Sequence, residues 1–242
     1  MVRLDQLLVD RGHCRSRAEA AALVMAGRVL VDEQTVDKAG SLVSPSCAIR
    51  LKKSLPFVSR GGLKLRGGLD HFGIDPNGWI CLDIGASTGG FTDCLLQAGV
   101  ARVYAVDVAY GLLDWKIRSD PRVVVLERFN ARSLTRELVP DPIDFCVIDT
   151  SFISLTKLLP PLPVLFVDNE IRIVCLVKPQ FELKRDQIGA GGIVNEEVLR
   201  LTAVQKIIDF SRKLGLASLG FVPSPIRGTK GNQEYLLYLR GG

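Results

Sequence analysis

The chain has 242 residues, of which 47% are hydrophobic, and a formal net charge of +5. This length and composition suit one medium-sized domain together with a small second one. No apolar run approaches the ~20 residues that span a bilayer, and the N-terminus lacks the apolar stretch of a secretory signal, so we expect a cytoplasmic protein without a membrane partner. Six cysteines without a C-x-x-C pair and only two histidines argue against a disulfide framework and predict no metal site.

The positive charge is concentrated at the N-terminus. Residues 1–66 contain twelve Lys or Arg against six Asp or Glu, a net charge of +6, which leaves −1 for the remainder. A basic segment joined to a near-neutral body is typical of an element that binds a polyanion. A solvated face that is basic by chance is also compatible with so small an excess.

The first 51 residues have the pattern of a compact α+β unit. Leucines at helical spacing from Leu4 predict one helix, and Ser16 with Glu19 three positions later predicts the start of a second. Two short strands are expected over 29–31 and 48–51.

Three stretches of this unit, R-L-D-Q-L-L-V-D-R-G, S-R-A-E-A and A-G-R-V-L-V-D, resemble the small RNA-binding domain of ribosomal small-subunit protein four. The resemblance implies that arginines bind RNA phosphates, a role that requires only charge and position. The expected RNA-binding residues are Arg3, Arg11, Arg15, Arg17 and, at the end of the following segment, Arg60. The predicted organisation is an RNA-binding domain over 1–51, a linker over 52–60 and a catalytic domain over 61–242.

The stretch from Trp79 to Phe91 joins an apolar run, which predicts a buried strand, to a glycine-rich turn and a helical pattern. Glycines at such a turn let a ligand approach the backbone near the positive end of a helix. The spacing differs from the G-x-G-x-x-G of dinucleotide enzymes and is closer to the D-x-G-x-x-x-G-G turn of class I S-adenosylmethionine methyltransferases. A tight connection without a ligand remains the alternative.

Beyond the turn, strands alternate with helices, which predicts a doubly wound, largely parallel α/β sheet of the Rossmann-like methyltransferase type. Strands are expected over 102–108, 123–126, 144–149, 172–178, 217–222 and 233–239, and helices over 61–72, from about Leu155, and over 196–214. Asp107 ends the second strand, where an acid can accept hydrogen bonds from ribose hydroxyls. The expected cofactor-binding residues are Asp83, Gly85, Ala86, Ser87, Gly89, Gly90, Phe91, Asp107, Val108 and Asn130.

Ionisable residues lie at several predicted strand ends. Asp149 and Lys178 each end an apolar strand, Glu234 lies at the start of the last strand, and Lys64 lies on the helix before the first one. Because a half-buried lysine needs a partner, we expect Lys178 to pair with Asp149. A plain ion pair between neighbouring strand ends is the structural alternative to a catalytic site.

Lys64, Asp149, Lys178 and Glu234 match the Lys-Asp-Lys-Glu tetrad of FtsJ-like RNA ribose 2′-O-methyltransferases, and the matching contexts are S-R-G-G-L-K-L, V-I-D-T-S-F-I-S-L, L-V-K-P-Q-F-E and G-N-Q-E-Y. These contexts, with V-D-V-A-Y-G-L-L-D-W-K and E-R-F-N-A-R, resemble the TlyA family, once called haemolysin A. The resemblance implies 2′-O-methylation of cytidines in ribosomal RNA with S-adenosylmethionine as cofactor, and ribosomal subunits as partners.

Within the implied tetrad, we expect Lys178, held by Asp149, to handle the proton of the 2′-hydroxyl, while Lys64 and Glu234 orient the hydroxyl or tune the site. Which lysine loses the proton stays open, because an ordinary lysine is protonated at neutral pH and is a poor base. Two other functions remain as alternatives, a membrane-active haemolysin and an RNA-binding protein without activity. The chain has no spanning segment to favour the first, and its complete tetrad and turn disfavour the second.

Overall fold

The computed structural model describes residues 1–25, 27–52, 56–166 and 170–242. The chain divides into two compact units, Met1–Leu55 and Pro56–Gly242. Residues 53–55 of the predicted linker lie outside the described residues.

The first unit is a small α+β unit. Its described helices and strands are β1 (Val2–Arg3), α1 (Leu4–Asp10), α2 (Arg17–Met25), β2 (Val29–Val31), β3 (Gln34–Thr35), β4 (Leu42–Val43) and β5 (Ile49–Leu51). The strands form two antiparallel sheets, β1–β4 and β3–β2–β5. Both predicted helices and both predicted strands are present. The remaining strands have two residues each, too short for an alternating pattern to be visible in the sequence.

The core of this unit lies between the helices and the sheets. Leu4 and Leu8 of α1, Ala20 and Val24 of α2 and Val29 of β2 are completely buried. These residues recur at helical spacing on each helix, so the leucine pattern from Leu4 marks the buried face.

The second unit has one large sheet with helices on both faces. Its described helices and strands are α3 (Gly61–Phe72), β6 (Ile80–Ile84), α4 (Gly90–Gln97), β7 (Arg102–Val106), α5 (Trp115–Arg118), β8 (Val123–Leu126), β9 (Phe145–Ile148), β10 (Ile171–Val177), α6 (Pro179–Glu182), α7 (Glu197–Lys213), β11 (Ala217–Pro223) and β12 (Tyr235–Gly241). The strand order is β11-β12-β10-β9-β6-β7-β8. The strands from β10 to β8 are parallel, and β12 is antiparallel to both of its neighbours. This topology confirms the predicted doubly wound α/β fold.

Alternate residues of each central strand belong to different halves of the core. In β6, Leu82 and Ile84 pack with α7, whereas Cys81 packs with α3 and α4. In β9, Cys146 and Ile148 face the first of these layers and Phe145 and Val147 the second. Because both faces are covered, the central strands are apolar at nearly every position.

One predicted element is wrong. The helix expected from about Leu155 is replaced by two short 3₁₀ turns, Leu155–Lys157 and Pro163–Leu165. Prolines at 160, 161 and 163 remove backbone donors and exclude a continuous helix. Leu155, Leu158, Leu159 and Leu162 are nevertheless buried, because the segment packs its leucines on the sheet in an irregular conformation.

Candidate active site

Four ionisable side chains meet at the edge of the sheet where the parallel strands end. The Nζ of Lys178 lies 2.6 Å from Oδ1 of Asp149. The Nζ of Lys64 lies 2.6 Å from Oε2 of Glu234 and 4.0 Å from Oδ2 of Asp149. The order Glu234–Lys64–Asp149–Lys178 therefore alternates in charge. The structure brings together the four residues that the sequence placed in one tetrad.

These charges are largely removed from water. Their side chains are between 3% and 17% exposed. Charges buried to this extent are stable only when each has a partner, and the alternating order gives every member at least one. The Nζ of Lys178 also donates a hydrogen bond to Oγ of Ser151, at 3.1 Å.

The sheet topology explains this convergence. Asp149 and Lys178 follow β9 and β10, which are adjacent and parallel, so their carboxyl ends lie side by side. Because β12 is antiparallel to β10, with Tyr235 opposite Val177, the start of β12 lies at the same edge. Glu234 immediately precedes that start.

Lys64 reaches the edge from α3. A Cβ placed on Gly68 would lie 3.2 Å from Cδ1 of Leu236, so α3 packs closely on β12 at that point. Lys64 lies one helical turn before Gly68 on the same face, and Glu234 lies two residues before Leu236. The close packing therefore directs Lys64 toward Glu234.

The glycine-rich turn contacts the tetrad directly. Gly85 has φ +85°, and a Cβ there would lie 2.4 Å from the backbone oxygen of Asp149. Ser87 and Gly89 also have positive φ, +50° and +93°. Since L-residues with a side chain rarely adopt this conformation, glycine is required at Gly85 for both conformation and space.

Asp107 supports the other side of the turn. Its Oδ2 accepts a hydrogen bond from the backbone N–H of Ser87 at 2.7 Å, and its Oδ1 accepts one from that of Ala109 at 2.8 Å. A carboxylate has about four lone-pair sites, so two remain for a ligand.

Two adjoining cavities open at this edge. An apolar one of about 440 Å³ contains, among others, Gly85, Ser87, Asp107, Val108, Leu112, Phe129 and Asn130. A more polar one of about 270 Å³ contains Arg60, Lys64, Ala86, Gly90, Phe91, Asp149 and Lys178. Asp149, Ser151, Gly85 and Ser87 line both, so Asp149 of the tetrad lies where the cavities meet.

Gly89 and Asp83 pack against the protein interior next to the glycine-rich turn. Gly89 packs its backbone against Leu113 and Ile117, where a Cβ would lie 3.0–3.1 Å from their side chains. Asp83 is completely buried beneath the turn and accepts a hydrogen bond from Oγ1 of Thr92 at 2.6 Å. Burial raises the pKa of Asp83 to about 7. Neither residue lines the three cavities, and the sequence alone did not distinguish them from the residues of the turn that do.

Three of the five predicted RNA-binding arginines have internal partners, whereas Arg15 and Arg60 are exposed. Arg3 and Arg17 both donate to the buried carboxylate of Asp5, and Arg11 donates to the backbone oxygens of Pro45 and Cys47. The guanidinium of Arg3 holds the pKa of Asp5 well below its usual range. The guanidinium groups of Arg3 and Arg17 remain about half exposed, with further donors facing outward.

The structure adds residues that the sequence reading missed. Phe152 is 91% exposed, has φ +66°, and its ring centroid lies 5.1 Å from that of Phe181. With Lys64, Lys178, Thr229 and Lys230, these rings line a further cavity of about 330 Å³ beside the tetrad. The only signal in the sequence was the position of Phe152, three residues after the acid that ends β9.

Comparison with known proteins decides the family. The FtsJ-like methyltransferase family matches residues 57–241, and the S4 domain matches residues 2–46. The chain belongs to the FtsJ-like methyltransferase family. It is a methyltransferase with an N-terminal S4 domain, which confirms the resemblance found in the sequence.

Relatives place it among the TlyA proteins. It is 47% identical over 240 residues to the Mycobacterium tuberculosis protein named 16S/23S rRNA (cytidine-2′-O)-methyltransferase TlyA, covering 98% of this chain and 89% of the relative. It is 40% identical to Hemolysin A of Brachyspira hyodysenteriae, covering 98% and 99% of the two chains. A solved Streptococcus thermophilus structure, named as a candidate hemolysin, is 41% identical with a TM-score of 0.76, covering 99% and 88%.

Neither a membrane-spanning helix nor a metal-binding cluster occurs among the residues that the structure describes. Among them, no helix is both long and apolar enough to cross a membrane. Within the same described ranges, no group of three or more His, Cys, Asp or Glu is placed to hold a metal ion.

Proposed function

We propose that this FtsJ-like methyltransferase uses S-adenosylmethionine to methylate the ribose 2′-oxygen of a cytidine in ribosomal RNA. The observation that carries the proposal is the alternating row Glu234–Lys64–Asp149–Lys178, in which Asp149 lines both cavities. The name of the Mycobacterium tuberculosis relative supports the substrate class.

The apolar cavity fits the cofactor chemically. Val108, Leu112 and Phe129 supply apolar walls for an adenine, next to Asn130. Asp107 has lone pairs left for two ribose hydroxyls after its bonds to the backbone of the turn. The glycine turn leaves room for the amino-acid end, so Gly85, Ala86, Ser87, Gly90 and Phe91 would hold that part.

Bound S-adenosylmethionine would supply a methyl group whose bond to sulfur breaks, with both electrons remaining on sulfur, as the bond to the 2′-oxygen forms. The protein must therefore place the hydroxyl in line and accept its proton. In our proposal Lys178 receives that proton on its Nζ lone pair, which requires the side chain to lose its own proton to solvent first, and Asp149 fixes the direction of its Nζ. Lys64, held by Glu234, donates a hydrogen bond that orients the hydroxyl oxygen.

The cavity beside the tetrad is suited to a nucleotide. Phe152 and Phe181 present an exposed aromatic surface, and exposed bases stack on such surfaces in protein–RNA complexes. Lys230 and Thr229 add donors suited to the RNA backbone. We assign the base of the target cytidine to this cavity.

The S4 domain would add affinity for ribosomal RNA through phosphate contacts. Its predicted contact residues are Arg3, Arg11, Arg15 and Arg17, and Arg60 in the polar cavity would bind RNA beside the tetrad. This assignment predicts binding that weakens steeply with salt, because phosphate contacts release counterions.

The test is methyl transfer from labelled S-adenosylmethionine to unmethylated ribosomal subunits. The wild type is compared with Lys178→Ala and with Lys184→Ala, an exposed lysine that lies six residues later. We expect transfer by the wild type and by Lys184→Ala, and almost none by Lys178→Ala. Equal loss in both lysine variants, or a methyl group found on a base, would contradict the proposal.

A further inference from the structure

Glu182 is a buried carboxylate that lies outside the cavities. It is only 5% exposed and ends α6, the short helix that begins directly after Lys178. A buried carboxylate needs hydrogen-bond donors, and the donors that satisfy this one lie elsewhere in the chain.

Glu182 binds the segment that follows Asp149. Its Oε1 accepts the backbone N–H of Leu155 at 2.8 Å, and its Oε2 accepts the hydroxyl of Ser154 at 2.5 Å. On the other side, Lys206 of α7 approaches Oε2 to 3.3 Å and donates to the backbone oxygen of Glu182. One carboxylate thus joins the segment after Lys178 to the segment after Asp149.

The segment from Asp149 to Leu155 is held by hydrogen bonds at both ends and contains active-site residues. At its start, the backbone N–H of Asp149 donates to the oxygen of Ile84 at 2.9 Å, which fixes that end to the sheet. Ser151, which accepts the hydrogen bond of Lys178, and Phe152 lie between the two fixed ends. Phe152 has φ +66°, and an aromatic residue keeps such a conformation only when its surroundings impose it.

We infer that Glu182 is a positioning residue, which holds the 150–155 segment so that Ser151 contacts Lys178 and Phe152 faces the substrate cavity. The carboxylate itself lines none of the three cavities, so its effect reaches the reaction through Ser151 and Phe152. The inference rests on the proposed function, because it concerns the placement of the same tetrad and cavity.

Kinetics on ribosomal subunits test this inference. Loss of the anchor lets the segment move, and displacements near 1 Å can cost about 10²-fold in rate. We expect Glu182→Ala to lower kcat at saturating cofactor at least tenfold. Glu182→Gln keeps an oxygen for Leu155 and an amide that can donate to Ser154, so it should retain kcat within about threefold.

Two comparisons separate positioning from a general loss of structure. Lys206→Met removes the other partner of Glu182 without altering the segment, so its kcat should stay within about twofold of wild type. In a Phe152→Ala background, adding Glu182→Ala should cause a smaller loss than it does in the wild type, because the part of its effect that passes through Phe152 is already gone. Multiplicative losses, or an equal loss in Lys206→Met, would overturn the inference.

Two further measurements keep the inference testable if Glu182→Ala does not fold or if the proposed function is wrong. If Glu182→Ala does not fold, Ser154→Ala removes one of the two contacts and should give a smaller loss of kcat that Lys206→Met does not show. If the wild type methylates no ribosomal RNA, the proposed function fails, and amide hydrogen exchange still tests the anchor. Faster exchange confined to residues 150–158 in Ser154→Ala, with little change in Glu182→Gln, supports it, and unchanged exchange in Ser154→Ala overturns it.

Discussion

The Nζ of Lys178 lies 2.6 Å from Oδ1 of Asp149, at the ends of two adjacent parallel strands. This pair is compatible with a catalytic unit and with a purely structural ion pair. The two differ in what happens when one partner is removed. A catalytic pair loses rate far beyond any loss of folded protein, whereas a structural pair loses activity only with the folded fraction.

We predict that Lys178→Ala and Asp149→Ala each lower kcat by about 10²–10⁴-fold, the usual contribution of proton transfer by a side chain. The double variant should be hardly slower than either single variant, because residues that act as a unit are not additive. Single-turnover rates measured beside thermal unfolding check this.

Each of these single variants should also lose stability, by about 3–5 kcal/mol if a buried charge is left without its partner. Cofactor affinity should remain within a few-fold. A folded Lys178→Ala protein that methylates near the wild-type rate would show that Lys178 is not a catalytic residue.

The contact between Gly85 and Asp149 predicts that Gly85→Ala abolishes both cofactor binding and activity. Its Cβ would lie 2.4 Å from the backbone oxygen of Asp149, so the turn or the strand end must move. Gly73 is a matched control, with φ +64° and no atom within 4 Å of its Cβ position. Gly73→Ala should lose only about 1–2 kcal/mol of stability from backbone strain and should still bind cofactor. Calorimetry and activity assays compare the two, and normal binding by Gly85→Ala would refute this account of the turn.

Asp107 should determine cofactor affinity. Hydrogen bonds to a charged group contribute about 1.5–3 kcal/mol, so Asp107→Ala should weaken S-adenosylmethionine binding roughly ten- to hundredfold. Asp209→Ala, on the exposed face of α7, provides the control. Titration calorimetry measures both. Binding by Asp107→Ala equal to that of wild type, or tighter binding of NAD than of S-adenosylmethionine by the wild type, would show that the cavity is misassigned.

The buried Asp83 predicts a specific pH dependence of stability. Burial raises its pKa to about 7 in the folded state, whereas an unfolded aspartate has a pKa of ~3.9. Between these values the folded state keeps a proton that the unfolded state has released, so the free energy of unfolding falls as the pH rises. The fall is at most about 1.4 kcal/mol per pH unit and ends above the folded pKa.

Asp83→Asn lacks this ionisation. Wild-type stability should therefore decline relative to the variant from about pH 4 to pH 7 and run parallel to it at higher pH. Urea unfolding of both proteins over this range measures the difference. Parallel curves throughout would mean that Asp83 is already ionised at low pH in the folded protein.

Arginines of the S4 domain should control the salt dependence of binding to ribosomal subunits. Loss of one phosphate contact reduces the slope of log affinity against log salt by about 1, so Arg15→Gln should show this decrease. Arg212→Gln, on the exposed end of α7, should leave the slope unchanged. Filter-binding at several salt concentrations measures the slopes. Identical slopes in all three proteins would exclude Arg15 from the RNA contact.

The sequence predicted that Asp149 and Lys178 lie together because both come at strand ends, and a parallel sheet brings such ends together. Asp149 and Lys178 follow apolar runs that could only be central strands, so their proximity followed from the fold class. Glu234 reaches this edge because β12 is antiparallel. The sequence did not predict that direction, and Glu234 was included in the tetrad only through the family resemblance.

The remaining features depend on tertiary contacts that a single sequence does not encode locally. The 155–166 segment has the leucines of a helix, but its prolines and its packing on the sheet give 3₁₀ turns instead. Phe152, with its positive φ, lies between two hydrogen-bonded points of the chain, and the partner at one of them, Glu182, lies 30 residues away. The shared pairing of Arg3 and Arg17 with Asp5 likewise joins two helices.

The most direct test of the proposed function is the position of the transferred methyl group. Unmethylated ribosomal subunits are incubated with labelled S-adenosylmethionine and the protein, and the RNA is digested to nucleosides for mass spectrometry. We predict that the label appears in 2′-O-methylcytidine with the wild type and is absent with Lys178→Ala. Label on a nucleobase or on another nucleoside, or no label with the folded wild type, would contradict the proposed function.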